Sequence, residues 1–225
     1  MPAPLHYRLK LRLLSPLIPL LLLREKNKRG GDLRFLRQRL GLGFTARSDR
    51  PVWLHAASVG ELNTALPLLQ RLHDAYPGAM FAVTTNTPTA AALFEKQKLA
   101  RCVHCYLPID LPECLRGFLR AINPRLGLIL ETELWPNLYS ACARLEIPLL
   151  LLNARLSKKS SDAPGWVRDG QRYSVAQLDH ILARSDADRE QFLALDAAPE
   201  RLQTVDNLKY AVPVNFTAVA PQAVM

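Results

Sequence analysis

The chain has 225 residues, 49% of them apolar, which is enough to bury a sizeable core in one or two domains. Its net charge of +9 sits wholly in the first fifty residues, where twelve Lys and Arg face only Glu25, Asp32 and Asp49, while residues 51–225 carry 17 basic and 17 acidic groups. This asymmetry argues against a nucleic-acid face on the globular part and for an arm that meets an anionic surface.

The arm, residues 1–50, also holds the strongest apolar segment, Leu13–Leu23, with Pro16 and Pro19 inside it. Eleven uncharged residues fall short of the about 20 that span a bilayer. Basic residues precede the apolar run as in a secretory signal, yet Arg24-Glu25-Lys26-Asn27-Lys28-Arg29 offers no small-residue cleavage site. The expectation is a segment lying in the membrane interface, with Arg and Lys on the headgroups of a cytoplasmic leaflet. A core helix with a solvated basic tail is the alternative.

Short apolar runs then alternate with helical periods. Val52–Ala56, Met80–Thr85, Cys102–Leu107, Leu126–Leu130 and Pro148–Leu152 read as strands. Leu62–Tyr76 (with Pro67 as a kink), Pro88–Gln97, Pro112–Ala121 and Pro136–Leu145 read as the helices between them. Asp179–Ala183 and Leu202–Val205 read as later strands around a helix, Asp186–Leu195. Such alternation predicts βαβ units and a Rossmann-like parallel sheet covered on both faces, in an α/β domain over residues 51–210. Residues 158–175 are polar and weakly patterned, and 211–225 reads as a linker stub. Cys102 and Cys105 form a C-x-x-C around His104, but no second such pair exists, so reduced buried thiols are expected, with no metal.

Polar residues gather at the carboxyl ends of these strands, where open α/β sheets bind ligands. Ser58, Gly60 and Glu61 follow the first strand. Thr84, Thr85, Asn86 and Thr87 follow the second, and Asp110 the third. Glu131, Thr132 and Glu133 follow the fourth, and Asn153 and Arg155 the fifth. Hydroxyls, amides and carboxylates together suit a sugar. Each has a plainer reading. Ser58-Val59-Gly60-Glu61 fits a capping box, and a helix N-terminus would lower the Glu61 pKa and weaken it as a base. Glu131 and Glu133, two apart, would face one way on an extended backbone; a salt bridge from this pair to Arg155 is the alternative to chemistry. The Thr84–Thr87 run suits strand-end caps. His55 reads as a satisfied core histidine, and Trp135-Pro136 as packing and a helix start.

Five segments taken in order, His55-Ala56-Ala57-Ser58-Val59-Gly60-Glu61, Thr84-Thr85-Asn86-Thr87-Pro88-Thr89, Tyr106-Leu107-Pro108-Ile109-Asp110-Leu111-Pro112, Glu131-Thr132-Glu133-Leu134-Trp135-Pro136-Asn137 and Asn153-Ala154-Arg155-Leu156-Ser157, resemble the 3-deoxy-D-manno-octulosonic acid (Kdo) transferases of lipid A biosynthesis. The start of the chain, ending in Arg37-Gln38-Arg39-Leu40-Gly41, resembles that family's membrane-associating N-terminus.

The resemblance implies the N-terminal, acceptor-binding domain of a GT-B glycosyltransferase on the cytoplasmic face of the inner membrane. It implies transfer of Kdo from CMP-Kdo to the lipid A precursor with inversion, without metal or cofactor. Glu61 matches the general base, Glu131 a carboxylate that assists the transition state, and Lys209 a lysine near the departing phosphate. Ser58, Gly60, Thr85, Thr87, Glu133, Asn153 and Arg155 would bind substrate. Asp206 replaces the family's usual glycine before Asn207-Leu208-Lys209, and would repel the donor phosphate or pair with Lys209. The resemblance ends near an interdomain linker, so the CMP-Kdo-binding second domain is expected to be absent and the chain to be of low activity alone. A non-catalytic membrane-binding remnant or regulator of the same fold is the alternative. An unrelated nucleotide-binding protein lacks support, since no Gly-rich phosphate loop is present.

Overall fold

A computed structural model of the protein describes residues 2–156 and 163–210; Ser157 of the fifth segment and the 211–225 stub lie outside them. Seven strands form one parallel sheet: β1 (Val52–His55), β2 (Phe81–Thr85), β3 (Cys102–Tyr106), β4 (Leu126–Leu130), β5 (Leu149–Ala154), β6 (His180–Ala183) and β7 (Leu202–Thr204), in the spatial order β3-β2-β1-β4-β5-β6-β7. Every pairing is parallel.

The helices are α1 (Leu5–Leu14), α2 (Ile18–Arg29), α3 (Leu33–Arg39), α4 (Val59–Ala75), α5 (Pro88–Glu95), α6 (Pro112–Ile122), α7 (Pro136–Arg144), α8 (Gly165–Ala176) and α9 (Asp186–Leu193). Central strands read as unbroken apolar runs because both faces are covered. Adjacent residues of β1 show this: Trp53 enters the core shared with Phe118, Ile129 and Leu151, while Leu54 enters the opposite one with Leu62, Phe81 and Val83.

The N-terminal helices pack onto the sheet's carboxyl end. Phe35 is fully buried against Tyr106, with Ile18, Leu22 and Ala91 around it. Gln38 accepts the Tyr106 amide at 2.9 Å. After α3 the chain turns at Gly41, where φ is +82°, and a Cβ there would strike the Cys114 backbone of α6. None of these described helices is long and apolar enough to cross a membrane.

Two expectations change. The weakly patterned 158–175 stretch contains most of α8. Its packing face is mostly small: Gly170 sits against Pro136, buried Ser174 bonds back to the Gly170 carbonyl, and Val175 alone of its fully buried residues carries an apolar side chain into the core. One buried valine beside a glycine and a serine makes too weak an apolar period to read. Helix α4 starts three residues earlier than expected, at Val59, and runs through Pro67.

Candidate active site

The strand order reverses between β1 and β4, so their following helices diverge and leave a crevice at the carboxyl edge. The β1–α4 turn brings His55 to Glu61, and the β4–α7 turn brings Glu131 to Trp135.

Ser58 caps α4 in extended conformation, its Oγ accepting the Glu61 amide at 3.3 Å. The same hydroxyl donates to Glu61 Oε1 at 3.0 Å, and the Ala57 amide donates to Oε2 at 2.8 Å. Ser58 therefore does cap α4, but Glu61 reaches back to the Ala57 amide, one residue before the N-cap, where a capping box would use that of Ser58. The Glu61 pKa nevertheless lies above the ordinary carboxylate value, contrary to the lowering expected of a helix N-terminus. Burial is the main cause and the charge of Glu133 adds to it, outweighing the Ala57 and Ser58 donors and His55. A partly exposed carboxylate with raised proton affinity can serve as a general base.

Glu131 and Glu133 do not share a face. Strand β4 ends at Leu130, and Glu131 adopts φ +59°, which breaks the two-residue alternation. Buried Glu131 turns to β5, where Arg155 grips its Oε2 through Nε at 2.8 Å and Nη2 at 2.6 Å. Glu133 turns to β1 and β2. Its Oε2 accepts Trp135 Nε1 at 2.8 Å and Asn86 Nδ2 at 3.3 Å, and lies 3.5 Å from His55 Nε2. Burial pushes the Glu133 carboxyl up, but His55, Trp135 and Arg39 together hold it below its usual range.

His55 is buried, with Nδ1 2.8 Å from Thr84 Oγ1, which also accepts Trp53 Nε1 at 2.7 Å. Its Nε2 has no hydrogen-bond partner, so the satisfied core histidine expected here is satisfied on one side only. Thr85 is buried, its Oγ1 2.9 Å from His104 Nε2. Thr87 caps α5. Gly60 is exposed, and the nearest atom to a Cβ there would be Ser58 Oγ at 3.9 Å, so sterics do not require glycine. Buried Asn153, at φ +51°, accepts the Leu208 amide at 3.2 Å and fixes the short 3₁₀ turn Leu208–Tyr210. Lys209 in that turn is exposed, and its ammonium forms no ion pair with Asp206, Glu61 or Glu131 among the described contacts.

Arg39 belongs to the crevice and had no signal of its own within a basic arm. Its Nη1 donates to Asn86 Oδ1 at 2.8 Å and to the Leu107 carbonyl. Asn86 thus links Arg39 to Glu133. Asp110 is buried beside them and accepts Tyr7 Oη at 2.7 Å with the Asn137 and Leu138 amides at 3.1 and 2.7 Å, which caps α7 from another element. Burial lifts its carboxyl to about 7. All four cysteines are free thiols.

A doubly wound parallel sheet with carboxylates, amides and an arginine around its switch point defines a Rossmann-like α/β ligand-binding domain. The chain belongs to the 3-deoxy-D-manno-octulosonic-acid transferase (kdotransferase) family, whose N-terminal model matches residues 34–212. It is 34% identical over 185 residues to the 3-deoxy-D-manno-octulosonic acid transferase of Haemophilus influenzae, covering 80% of this chain and 43% of that protein. It is 36% identical over 191 residues to the Bordetella pertussis protein of the same name, covering 81% and 44%. The chain therefore spans less than half the length of these relatives. Among solved structures it is similar to a Staphylococcus aureus MnaA–UDP complex, with a TM-score of 0.52 at 14% identity over 76% of this chain and 50% of that one, a likeness of fold.

Proposed function

We propose that this chain forms the acceptor side of an inverting, metal-free GT-B glycosyltransferase that moves Kdo from CMP-Kdo to the lipid A precursor. The observation that carries the reading is Glu61, a half-buried carboxylate of raised pKa at the β1–α4 turn beside the switch point. Glu61 takes the proton of an acceptor hydroxyl as that oxygen attacks the anomeric carbon and the cytidylate leaves. Glu131, fixed by Arg155, supports the transition-state charge, and Lys209 meets the departing phosphate. Ser58, Gly60, Thr85, Thr87, Glu133, Asn153 and Arg155 contribute to the substrate-binding lining, several of them by holding their neighbours in place.

The acceptor is a lipid, and the N-terminal helices suit a membrane surface. Leu13 of α1 is 80% exposed and Leu20 of α2 68%, with Arg8, Arg12, Arg24 and Lys28 exposed around them. An exposed apolar patch rimmed by basic groups fits peripheral docking on an anionic cytoplasmic leaflet.

The test is Kdo transfer from CMP-Kdo to the precursor, with the 225-residue chain alone and with the C-terminal half of the Bordetella relative added. Glu61→Gln should abolish transfer in whichever format wild type supports, while precursor binding stays within twofold. Transfer by Glu61→Gln at the wild-type rate overturns the base assignment. A wild-type chain inactive in both formats returns the reading to a non-catalytic membrane-binding protein.

A further inference from the structure

Trp53, His55 and Thr84 are completely buried in β1 and β2. Their hydrogens can be placed from the donors alone. Trp53 Nε1 carries a hydrogen and cannot accept one, so at 2.7 Å it donates to Thr84 Oγ1. The Thr84 hydroxyl must send its own hydrogen elsewhere, and among the described residues its other contact is His55 Nδ1 at 2.8 Å. Nδ1 therefore accepts, and the ring hydrogen sits on Nε2. A hydrogen on Nδ1 instead would orphan the Thr84 hydroxyl in a dry interior and turn the Nε2 lone pair toward a carboxylate.

That carboxylate is Glu133. Its Oε2 lies 3.5 Å from Nε2, about 0.3 Å past an ordinary N–H···O bond, and Nε2 is buried with no other partner. Three N–H groups thus converge on one oxygen, His55 Nε2 joining Trp135 Nε1 and Asn86 Nδ2. Tyr139 Oη donates to the Glu133 carbonyl at 2.5 Å, which pins the turn that carries the carboxylate. Glu61 and Glu133 are the carboxylates that sense His55, and Arg39 and Tyr139 are the other ionisable groups that face Glu133. Two neighbouring carboxylates compete for one proton, and unlike surroundings decide which takes it.

We propose that His55 is a positioning residue of the transfer reaction: Thr84 turns its Nε2–H toward Glu133, and that hydrogen keeps the Glu133 carboxylate charged and in place beside the Glu61 base. The inference rests on the base assignment above. Nε2 needs no access to solvent or substrate for this role, since it acts only through Glu133. With Glu133 kept anionic, the proton leaving the acceptor hydroxyl has one destination, Glu61.

The test breaks the relay without touching either carboxylate. Thr84→Val keeps the side-chain shape but offers Nδ1 no hydrogen, so the ring is free to donate from Nδ1 to the carbonyl of residue 84, 3.2 Å away. His55→Asn keeps a polar group near Nδ1 and stops short of Glu133. Thr84→Ser, which keeps the hydroxyl, and His55→Gln, which keeps an amide donor at the place of Nε2, are the matched controls. Long-range ¹⁵N–¹H spectra of the 225-residue chain should place the wild-type ring hydrogen on Nε2 and move it to Nδ1 in Thr84→Val. The Glu133 carboxyl, followed by its ¹³C shift, should titrate about half a pH unit or more higher in Thr84→Val and His55→Asn, closing on Glu61, and as wild type in both controls. In the format that supports transfer, the two relay-breaking variants should lose about fivefold in kcat with KM within twofold. A wild-type hydrogen on Nδ1 overturns the inference and needs no variant to fold. So does a Glu133 titration that stays put in the relay-breaking variants or moves equally in the controls. Wild-type transfer by Glu61→Gln sinks the base reading instead, and the Glu133 titration, which needs no transfer activity, is read apart from it.

Discussion

His55 Nε2 lies 3.5 Å from Glu133 Oε2 without a hydrogen bond between them, although both groups are largely shielded from water. Glu133 also adds to the forces that lift the Glu61 carboxyl. Its charge is therefore a setting for the strength of the proposed base. Glu133→Gln keeps the shape and removes that charge. The Glu61 carboxyl should then titrate at lower pH, read from its carboxyl ¹³C shift, and the acidic limb of any transfer activity should move the same way. An unshifted Glu61 titration would mean that the two carboxylates do not sense each other.

Asp110 offers a stability test with an unusual sign. Its pKa is raised by burial to about 7, above the unfolded carboxylate value. Between the two values the folded chain binds more protons than the unfolded chain, so the Asp110 contribution falls as pH rises from about 4 to about 7. Asp110→Asn cannot titrate. The stability of wild type minus that of Asp110→Asn, from urea unfolding, should decline across that window by a few kcal/mol at most. A difference that rises with pH would mean that the Tyr7, Asn137 and Leu138 donors outweigh burial.

The Glu131–Arg155 pair is asymmetric: the carboxylate side chain is 7% exposed and the guanidinium side chain 44%. Arg155→Gln strands a buried charge and should destabilise the fold by about 1–3 kcal/mol. The exposed side of Arg155 keeps the figure at the low end of what a buried pair shows. Glu131→Gln added to Arg155→Gln should recover most of the loss, because a neutral amide tolerates burial better. Urea midpoints of the two single variants and the double variant measure the coupling.

The sheet was legible because β4 is an unbroken apolar run and β2 opens on Phe81-Ala82-Val83 before its two threonines, and because Gly78, Pro108 and Pro124 mark the turns around them. The polar strand ends were legible for the same reason: a hydroxyl or carboxylate just past a buried strand has nowhere to point but the edge. The direction of each side chain was not. Glu131 leaves the strand alternation through a positive φ, a backbone state that glutamate rarely adopts and that nothing nearby announces. Arg39 was hidden within a basic run, since its role depends on packing of α3 against β3 and on Asn86, 47 residues away. Helix α8 buries Gly170 and Ser174 beside a single apolar residue, Val175, which is too little for an apolar period to show.

The exposed leucines of α1 and α2 give the last prediction, and the fold dictates its form. Deleting residues 1–50 would remove Phe35 and Gln38, which pack on Tyr106, so lost binding would report lost folding. Leu13→Asp and Leu20→Asp change only solvent-facing positions. Each should weaken co-sedimentation with phosphatidylglycerol vesicles by about 1–2 kcal/mol, the value of burying most of a leucine, with unchanged thermal unfolding. Wild-type binding should also fall as salt screens Arg8, Arg12, Arg24 and Lys28 from the headgroups, and should be weaker on neutral phosphatidylcholine. If neither aspartate alters vesicle binding, the leucines face something other than lipid, and the patch becomes a contact surface for another protein.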